Sequence, residues 1–169
     1  MGARAGEVRV GDSTSLNLFK SLSAAVALQR ADAPARRDIL SERGNFPTDL
    51  YMAESVAAAH GLVLRLADGA RIDDALNDDV AVLMLTHVNY RSGRMHRLAE
   101  TTRAAHAAGA LVVWDLAHSA GAVPVDLHGA AWPSQPESGW RDCSRSMRAV
   151  WRGFAQTNAG APGPPFRYL

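Results

Sequence analysis

Two short, uninterrupted apolar runs constrain the fold of this chain more than any other feature. They occupy residues 80–85 and 110–114, and valine is frequent in both. This composition is typical of strands that are buried on both faces of a parallel sheet. Asp115 and His118 follow directly after the second run. Because open α/β sheets bind their ligands beyond the carboxyl ends of the strands, we expect a functional site around these two side chains.

Strand-like runs alternate with helical patterns along the rest of the chain. After Asp12 or Ser13, either of which can cap a helix, apolar residues recur at helical spacing as far as residues 32–34. In all, strands are predicted at residues 7–10, 37–40, 62–66, 80–85 and 111–114. Further helices are predicted at residues 48–60, 73–77 and 97–108. This alternation predicts an α/β fold with a mainly parallel sheet and helices on both faces.

The character of the chain changes after residue 130. Residues 131–169 contain five of the eight prolines and three of the four tryptophans, but almost no branched aliphatic residues. Such a segment cannot supply a buried strand, so we expect an irregular or disordered tail. We therefore divide the chain into a partial domain at residues 1–130 and an atypical tail at residues 131–169, which is either the product of a frameshift or a genuine divergent end.

Composition and charge exclude several functional classes. The formal net charge is +1, and the basic residues are dispersed among acidic ones, which argues against nucleic-acid binding. No apolar run is long enough to cross a bilayer, so we expect a cytoplasmic protein with no membrane partner. The single Cys143 cannot form an internal disulfide, and the histidines lack metal-ligand spacing, so no metal is expected.

The segment Trp-Asp-Leu-Ala-His-Ser-Ala-Gly at residues 114–121 resembles the kynureninase family. Residues 12–20, 41–51 and 86–96 resemble kynureninase segments in the same order, so that the resemblance covers residues 6–130 or nearly so. The family has the aspartate-aminotransferase fold and uses pyridoxal 5'-phosphate. The resemblance thus implies that this chain is part of the large domain of a fold-type-I pyridoxal-phosphate enzyme.

The resemblance also implies a set of residues that bind the cofactor. Thr14 and Ser15 would hold its phosphate at a helix start, where free N–H groups attract anions, although hydroxyl residues also commonly cap helices. Phe46 would stack on the pyridine ring, within a segment that continues through Pro47 and Thr48. The alternative for Phe46 is an ordinary core aromatic.

The remaining implied contacts come from four polar residues. Asp115 would lie beside the pyridine nitrogen and keep it protonated, so that the ring can accept electrons from a substrate carbanion. His118, Asp49 and Thr86 would contact the same cofactor. Without the resemblance, Asp115 would be interpreted as a helix or turn cap, and Asp49 as a residue that complements the dipole of its helix. The individual roles of the polar residues at positions 87–91 stay open.

The chain departs from the family in one essential residue. Its only lysine is Lys20, in the first predicted helix, whereas the family's cofactor lysine follows a tyrosine beyond the Asp115 segment. The intact family hydrolyses L-kynurenine or 3-hydroxykynurenine to anthranilate or 3-hydroxyanthranilate and L-alanine, and it forms homodimers. We therefore expect an incomplete chain that is inactive alone.

Two other interpretations stay open. One is a non-catalytic remnant that binds a phosphate ligand or a subunit. The other is a different pyridoxal-phosphate lyase such as a cysteine desulfurase, for which Cys143 has no matching context.

Overall fold

The computed structural model describes residues 11–127, and within them helices and strands alternate from end to end. The elements, in chain order, are α1 (Thr14–Asp32), β1 (Asp38–Glu42), α2 (Pro47–His60), β2 (Val63–Ala67), two 3-10 turns (Gly69–Arg71 and Asp73–Ala75), β3 (Val80–Thr86), α3 (Leu98–Ala107) and β4 (Leu111–Asp115). The predicted strand at residues 7–10, the tail at residues 131–169 and Cys143 lie outside the described residues.

All four strands belong to one parallel sheet in the order β2-β1-β3-β4. In the register between β3 and β4, Thr86 lies opposite Asp115. Glu42 is the last residue of β1. Because parallel strands all end on the same side, these three polar residues come to one edge of the sheet, which we call the carboxyl edge.

Two apolar layers cover the two faces of the sheet, because side chains alternate along each strand. Met84 and Val113 pack with residues of α1 and α2, whereas Leu85 and Trp114 pack with residues of α3. The sheet therefore has helices on both faces, and the predicted fold class is confirmed. No helix among residues 11–127 is long and apolar enough to cross a membrane.

Strand and helix ends depart from the sequence prediction where polar residues are buried. β1 extends through Ser41 and Glu42, two residues beyond the predicted end, and both side chains are buried. Asp115 is the last residue of β4 and not the first residue after it. A hydrophobicity pattern ends a strand at the first polar residues, but here hydrogen bonds from other elements satisfy them. The helix predicted at residues 73–77 is only a 3-10 turn.

Local sequence signals set the ends of the long helices. Ser13 caps α1 by accepting a hydrogen bond from the amide of Leu16 at 3.4 Å. Gly109 follows the end of α3 with φ +77°, a left-handed conformation that glycine adopts without a Cβ penalty. The turn it makes leads directly into β4.

Candidate functional site

Three predicted site residues meet at the carboxyl edge of the sheet. Asp49 lies in the first turn of α2, and Thr86 and Asp115 end the neighbouring strands β3 and β4. All three are buried. The Thr86 hydroxyl donates a hydrogen bond to Oδ1 of Asn45 and lies 3.2 Å from Oδ2 of Asp49. The register of β3 with β4 then brings Asp115 beside Asp49, where the two carboxyl groups interact.

This neighbourhood shifts the protonation of both carboxyl groups. Burial, and next the negative charge of Asp115, raise the pKa of Asp49 to about 8. Burial also raises the pKa of Asp115, although the amide of Ala117 donates a 2.8 Å hydrogen bond to its Oδ1. Two carboxylates in such close contact disfavour simultaneous ionisation. At neutral pH the pair therefore holds a proton, and its negative charge is shared between the two groups.

An aromatic ring stands next to the acid pair. Phe46 immediately precedes α2 and remains 36% exposed, although it is held on two sides. The Tyr90 ring meets it edge-on, with 5.0 Å between the ring centroids. The His118 ring lies 6.1 Å away, and the charge of His118 also acts on Asp115. Phe46 and His118 therefore belong to the same part of the site as the carboxyl groups.

The other predicted site residues lie at helix starts. Pro47 and Thr48 form the beginning of α2, with Pro47 exposed and Thr48 partly buried. Thr14 and Ser15 form the first turn of α1 and are also partly buried. Within the described part of the chain, no side-chain hydrogen bond connects these four residues to the acid pair.

The direction of α1 nevertheless brings its start to the carboxyl edge. Gln29, near the end of α1, donates a 2.7 Å hydrogen bond to the carbonyl of Gly109, just before β4. A helix rises by about 1.5 Å per residue, so Thr14 lies about 22 Å along the axis from Gln29. Because the buried side of α1 packs on β3 and β4, the helix start points toward the ends of those strands, on the side of Asp115.

Asn45 is a buried residue of the site that the sequence did not single out. Its Oδ1 accepts the Thr86 hydrogen bond and one from the amide of Phe46 at 2.8 Å. Its Nδ2 donates to the Ser41 hydroxyl at 3.1 Å. Asn45 therefore ties the backbone of Phe46 to the ends of β1 and β3. Its position in the segment shared by Phe46 and Asp49 was the only sequence signal available.

The polar residues after β3 form a hairpin. Residues 87–96, which we call the 87–96 hairpin, fold back through an antiparallel bridge between Val88 and Met95. Tyr90 is near its tip and contacts Phe46, and the Arg91 guanidinium lies 5.3 Å from the centre of the Tyr90 ring. His87 instead meets Trp114 on the opposite face of the sheet. Among residues 11–127, no group of His, Cys, Asp and Glu has the arrangement of a metal site.

Comparison with known proteins gives matches over most of the described chain. A family model described as "Aminotransferase class-V" matches residues 38–131. A kynureninase from Pseudomonas fluorescens is 56% identical over 133 residues, which are 77% of this chain and 32% of that protein. A kynureninase from Burkholderia pseudomallei (strain K96243) is 55% identical, with the same coverage. The chain thus spans about a third of the length of these curated relatives.

Solved structures with a similar fold include an apo cysteine desulfurase from Thermococcus onnurineus NA1. It superposes with a TM-score of 0.59 over 71% of this chain and 31% of that chain, at 24% sequence identity. At this level of identity the similarity supports the fold and not a shared activity.

Proposed function

Because this chain belongs to the class-V aminotransferase family, we propose that it forms the cofactor-binding part of a kynureninase. The complete enzyme would hydrolyse L-kynurenine, or 3-hydroxykynurenine, to anthranilate, or 3-hydroxyanthranilate, and L-alanine. Its cofactor would be pyridoxal 5'-phosphate, which when bound accepts electrons from the substrate's Cα and so allows a carbon–carbon bond to break. The identity to two kynureninases supports this proposal.

The observation that carries the proposal is the buried pair of Asp49 and Asp115. A negative charge beside a pyridine nitrogen raises the pKa of that nitrogen and keeps it protonated, and Asp115 at the end of β4 would supply that charge in a buried setting. Asp49 keeps one proton within the pair and would donate it as a hydrogen bond. Asp115 therefore offers an ionised acceptor oxygen, which fits the N–H of a protonated heterocycle.

Phe46 would bind the face of the cofactor ring. Its ring is partly exposed while Tyr90 and His118 hold it, so a flat ligand could stack without a change in the orientation of Phe46. The start of α1, with the hydroxyl groups of Thr14 and Ser15 and the unpaired amides of a first turn, would bind the phosphate. Pro47, Thr48 and Thr86 would complete the pocket wall.

Catalysis would need a lysine that this chain does not contain at the site. Lys20 is the only lysine in the sequence, and it forms an ion pair with Asp12 at the exposed start of α1. We therefore propose that the chain binds the cofactor without performing the reaction alone. A non-catalytic protein that binds a phosphate ligand is the second candidate, and the position of Lys20 favours it. We also propose a cytoplasmic location and, for the complete enzyme, a homodimer.

A titration of the full chain with pyridoxal 5'-phosphate tests the proposal. Isothermal calorimetry should detect binding, and Asp115→Ala should weaken it by about tenfold to a hundredfold because a charge-assisted hydrogen bond is lost. Phe46→Ala should weaken it by about twofold to tenfold. The control is Asp38→Ala, which removes the ion pair with Arg65 at the opposite end of β1. Equal affinities for the wild type and the Asp115 variant would contradict the assigned site.

Two further measurements separate catalysis from binding. The full chain, incubated with pyridoxal 5'-phosphate and kynurenine, should release no fluorescent anthranilate, and its release would refute the inactivity of the chain. Separate calorimetric titrations with inorganic phosphate and with pyridoxal, which lacks the phosphate group, then distinguish the two candidates. A cofactor site should retain measurable pyridoxal binding, whereas a simple phosphate site should bind phosphate alone.

A further inference from the structure

We infer that Glu42 is a positioning residue, which anchors the 87–96 hairpin and so holds Tyr90 against Phe46. The anchoring role of Glu42 is supported by the contacts between Glu42 and the hairpin, independently of any ligand. The effect of this anchor on ligand binding rests on the proposed function, in which Phe46 stacks on the cofactor.

Glu42 is a buried carboxylate with three donors around it. Its Oε2 lies 2.8 Å from Nε2 of His96 and 3.3 Å from the Arg94 guanidinium, and its Oε1 accepts a 2.6 Å hydrogen bond from Asn89. The side chain of Glu42 is only 3% exposed. Burial raises the pKa of Glu42, but the hydrogen bonds from His96 and Asn89, together with the charges of His96 and Arg94, outweigh burial and hold this pKa below its ordinary value. The carboxylate is therefore ionised and bound on both oxygens.

All three donors belong to the 87–96 hairpin, whereas Glu42 belongs to β1. Asn89 is the central donor, because it also donates to the carbonyl of Gly44 at 2.9 Å and accepts the amides of Arg91 and Ser92 on Oδ1. The carboxylate thus fixes both sides of the hairpin to one strand end, and through Asn89 it also fixes the tip.

The tip carries the residues that face the proposed site. Tyr90 lies between Phe46 and Arg91: its ring meets Phe46, and its hydroxyl accepts a 2.6 Å hydrogen bond from Nε of Arg91. Loss of the Glu42 carboxylate should therefore loosen Tyr90 and weaken its contact with Phe46.

Gly69 shows how closely the surroundings fit this carboxylate. A Cβ built on Gly69 would overlap Oε2 of Glu42 and the guanidinium of Arg94. Gly69 does not have a left-handed backbone conformation in this structure, so alanine would cause no backbone strain there. Its only effect would be the overlap of the new Cβ with the Glu42 and Arg94 side chains. The variant Gly69→Ala therefore displaces the carboxylate without removing any group of the anchor.

Hydrogen exchange in the full chain tests the anchor without any ligand. The amides of Asn89, Gly93 and His96 make the hairpin's own backbone hydrogen bonds. In Glu42→Ala they should exchange about tenfold faster or more, because charge-assisted hydrogen bonds that hold the segment are lost. Glu42→Gln keeps one acceptor oxygen and the side-chain size, so it should restore part of the protection.

Two controls separate positioning from general destabilisation. Asp38→Ala removes a carboxylate from the other end of β1, together with its 2.7 Å hydrogen bond from Arg65, and should leave hairpin exchange unchanged. Gly69→Ala should accelerate the hairpin amides while the amides of β4 keep their protection. Equal exchange of the hairpin amides in the wild type and in both Glu42→Ala and Gly69→Ala would overturn the inference.

Calorimetry with pyridoxal 5'-phosphate then tests the consequence for binding. Glu42→Ala should weaken binding by about twofold to tenfold, as loss of the Phe46 ring would, and Glu42→Gln should recover affinity. A wild-type chain that fails to bind the ligand, with a hairpin that still loosens in Glu42→Ala, would refute the proposed function and support the anchor. Normal binding by a variant whose hairpin has loosened would overturn the consequence for Phe46.

Discussion

Replacing Asp49 by asparagine should change how the stability of the chain depends on pH. Asp49 is 2% exposed, and burial and the adjacent Asp115 raise its pKa from 3.8 to about 8. In the folded chain it therefore holds a proton over a range in which the unfolded chain has released it. Asparagine has nearly the same shape and still donates a hydrogen bond to Asp115, but it cannot titrate.

The magnitude follows from one proton that Asp49 holds up to a folded pKa of about 8. A group with a raised folded pKa contributes stability below its ordinary pKa, and this contribution is lost as the pH rises through the folded value. One proton corresponds to about 1.4 kcal/mol per pH unit, so the wild type should lose about 2 kcal/mol relative to Asp49→Asn between about pH 6 and about pH 7.5. Burial lowers the pKa of His87 and His106, which acts in the opposite direction, but it does so equally in both proteins.

Urea denaturation followed by circular dichroism, at a series of pH values, provides the assay. The quantity to plot is the difference in unfolding free energy between Asp49→Asn and the wild type, which should rise with pH and level off above about pH 8. The control is Glu54→Gln, a carboxyl-to-amide change on the same helix, because Glu54 is exposed. A flat difference for Asp49→Asn would refute the shared-proton interpretation of the pair.

Three further substitutions test the packing that holds the site, each by the shift of the urea midpoint. Thr102→Val should cost about 1–3 kcal/mol, because it leaves the buried Nε1–H of Trp114 without the acceptor that it contacts at 2.9 Å. Leu18→Ala should cost about 2–5 kcal/mol because Leu18 is fully buried, whereas Leu16→Ala, at 44% exposure, should change stability by less than about 0.5 kcal/mol. Gly109→Ala should cost more than about 1 kcal/mol, since φ is +77° and the new Cβ would overlap an arginine. Equal effects at Leu18 and Leu16, or none at Thr102 or Gly109, would contradict these assignments.

The fold was predictable because its signals are local. The apolar runs that became β3 and β4 are continuous, and the alternation of strands with helical patterns indicates a parallel sheet with two covered faces. The position of Asp115 at a strand end also followed from the sequence alone. The prediction that it and the other candidates bind pyridoxal 5'-phosphate came from motif resemblance and stays a prediction.

The polar interior was not predictable in the same way. Glu42 lies beyond the strand predicted at residues 37–40, yet it is the buried last residue of β1, because its donors come from residues 47 to 54 positions later in the chain. Asn45 likewise meets Thr86 across 41 positions. A hydrophobicity pattern records the preference of each residue for water, and it carries no information about a hydrogen-bonding partner that is distant in sequence.

The order of apolar and polar residues by itself determined the layers of this protein, its parallel sheet and the edge at which chemistry can occur, because burial of apolar surface depends on local periodicity. Only the tertiary structure decided which side chains meet there. The proton shared by Asp49 and Asp115 exists because strand register and the start of a helix bring two carboxyl groups together out of water. The anchor at Glu42 depends in the same way on a contact between a strand end and a hairpin. The free energy of each interaction is set by the distance between groups that are far apart in the chain, and only the folded structure fixes that distance.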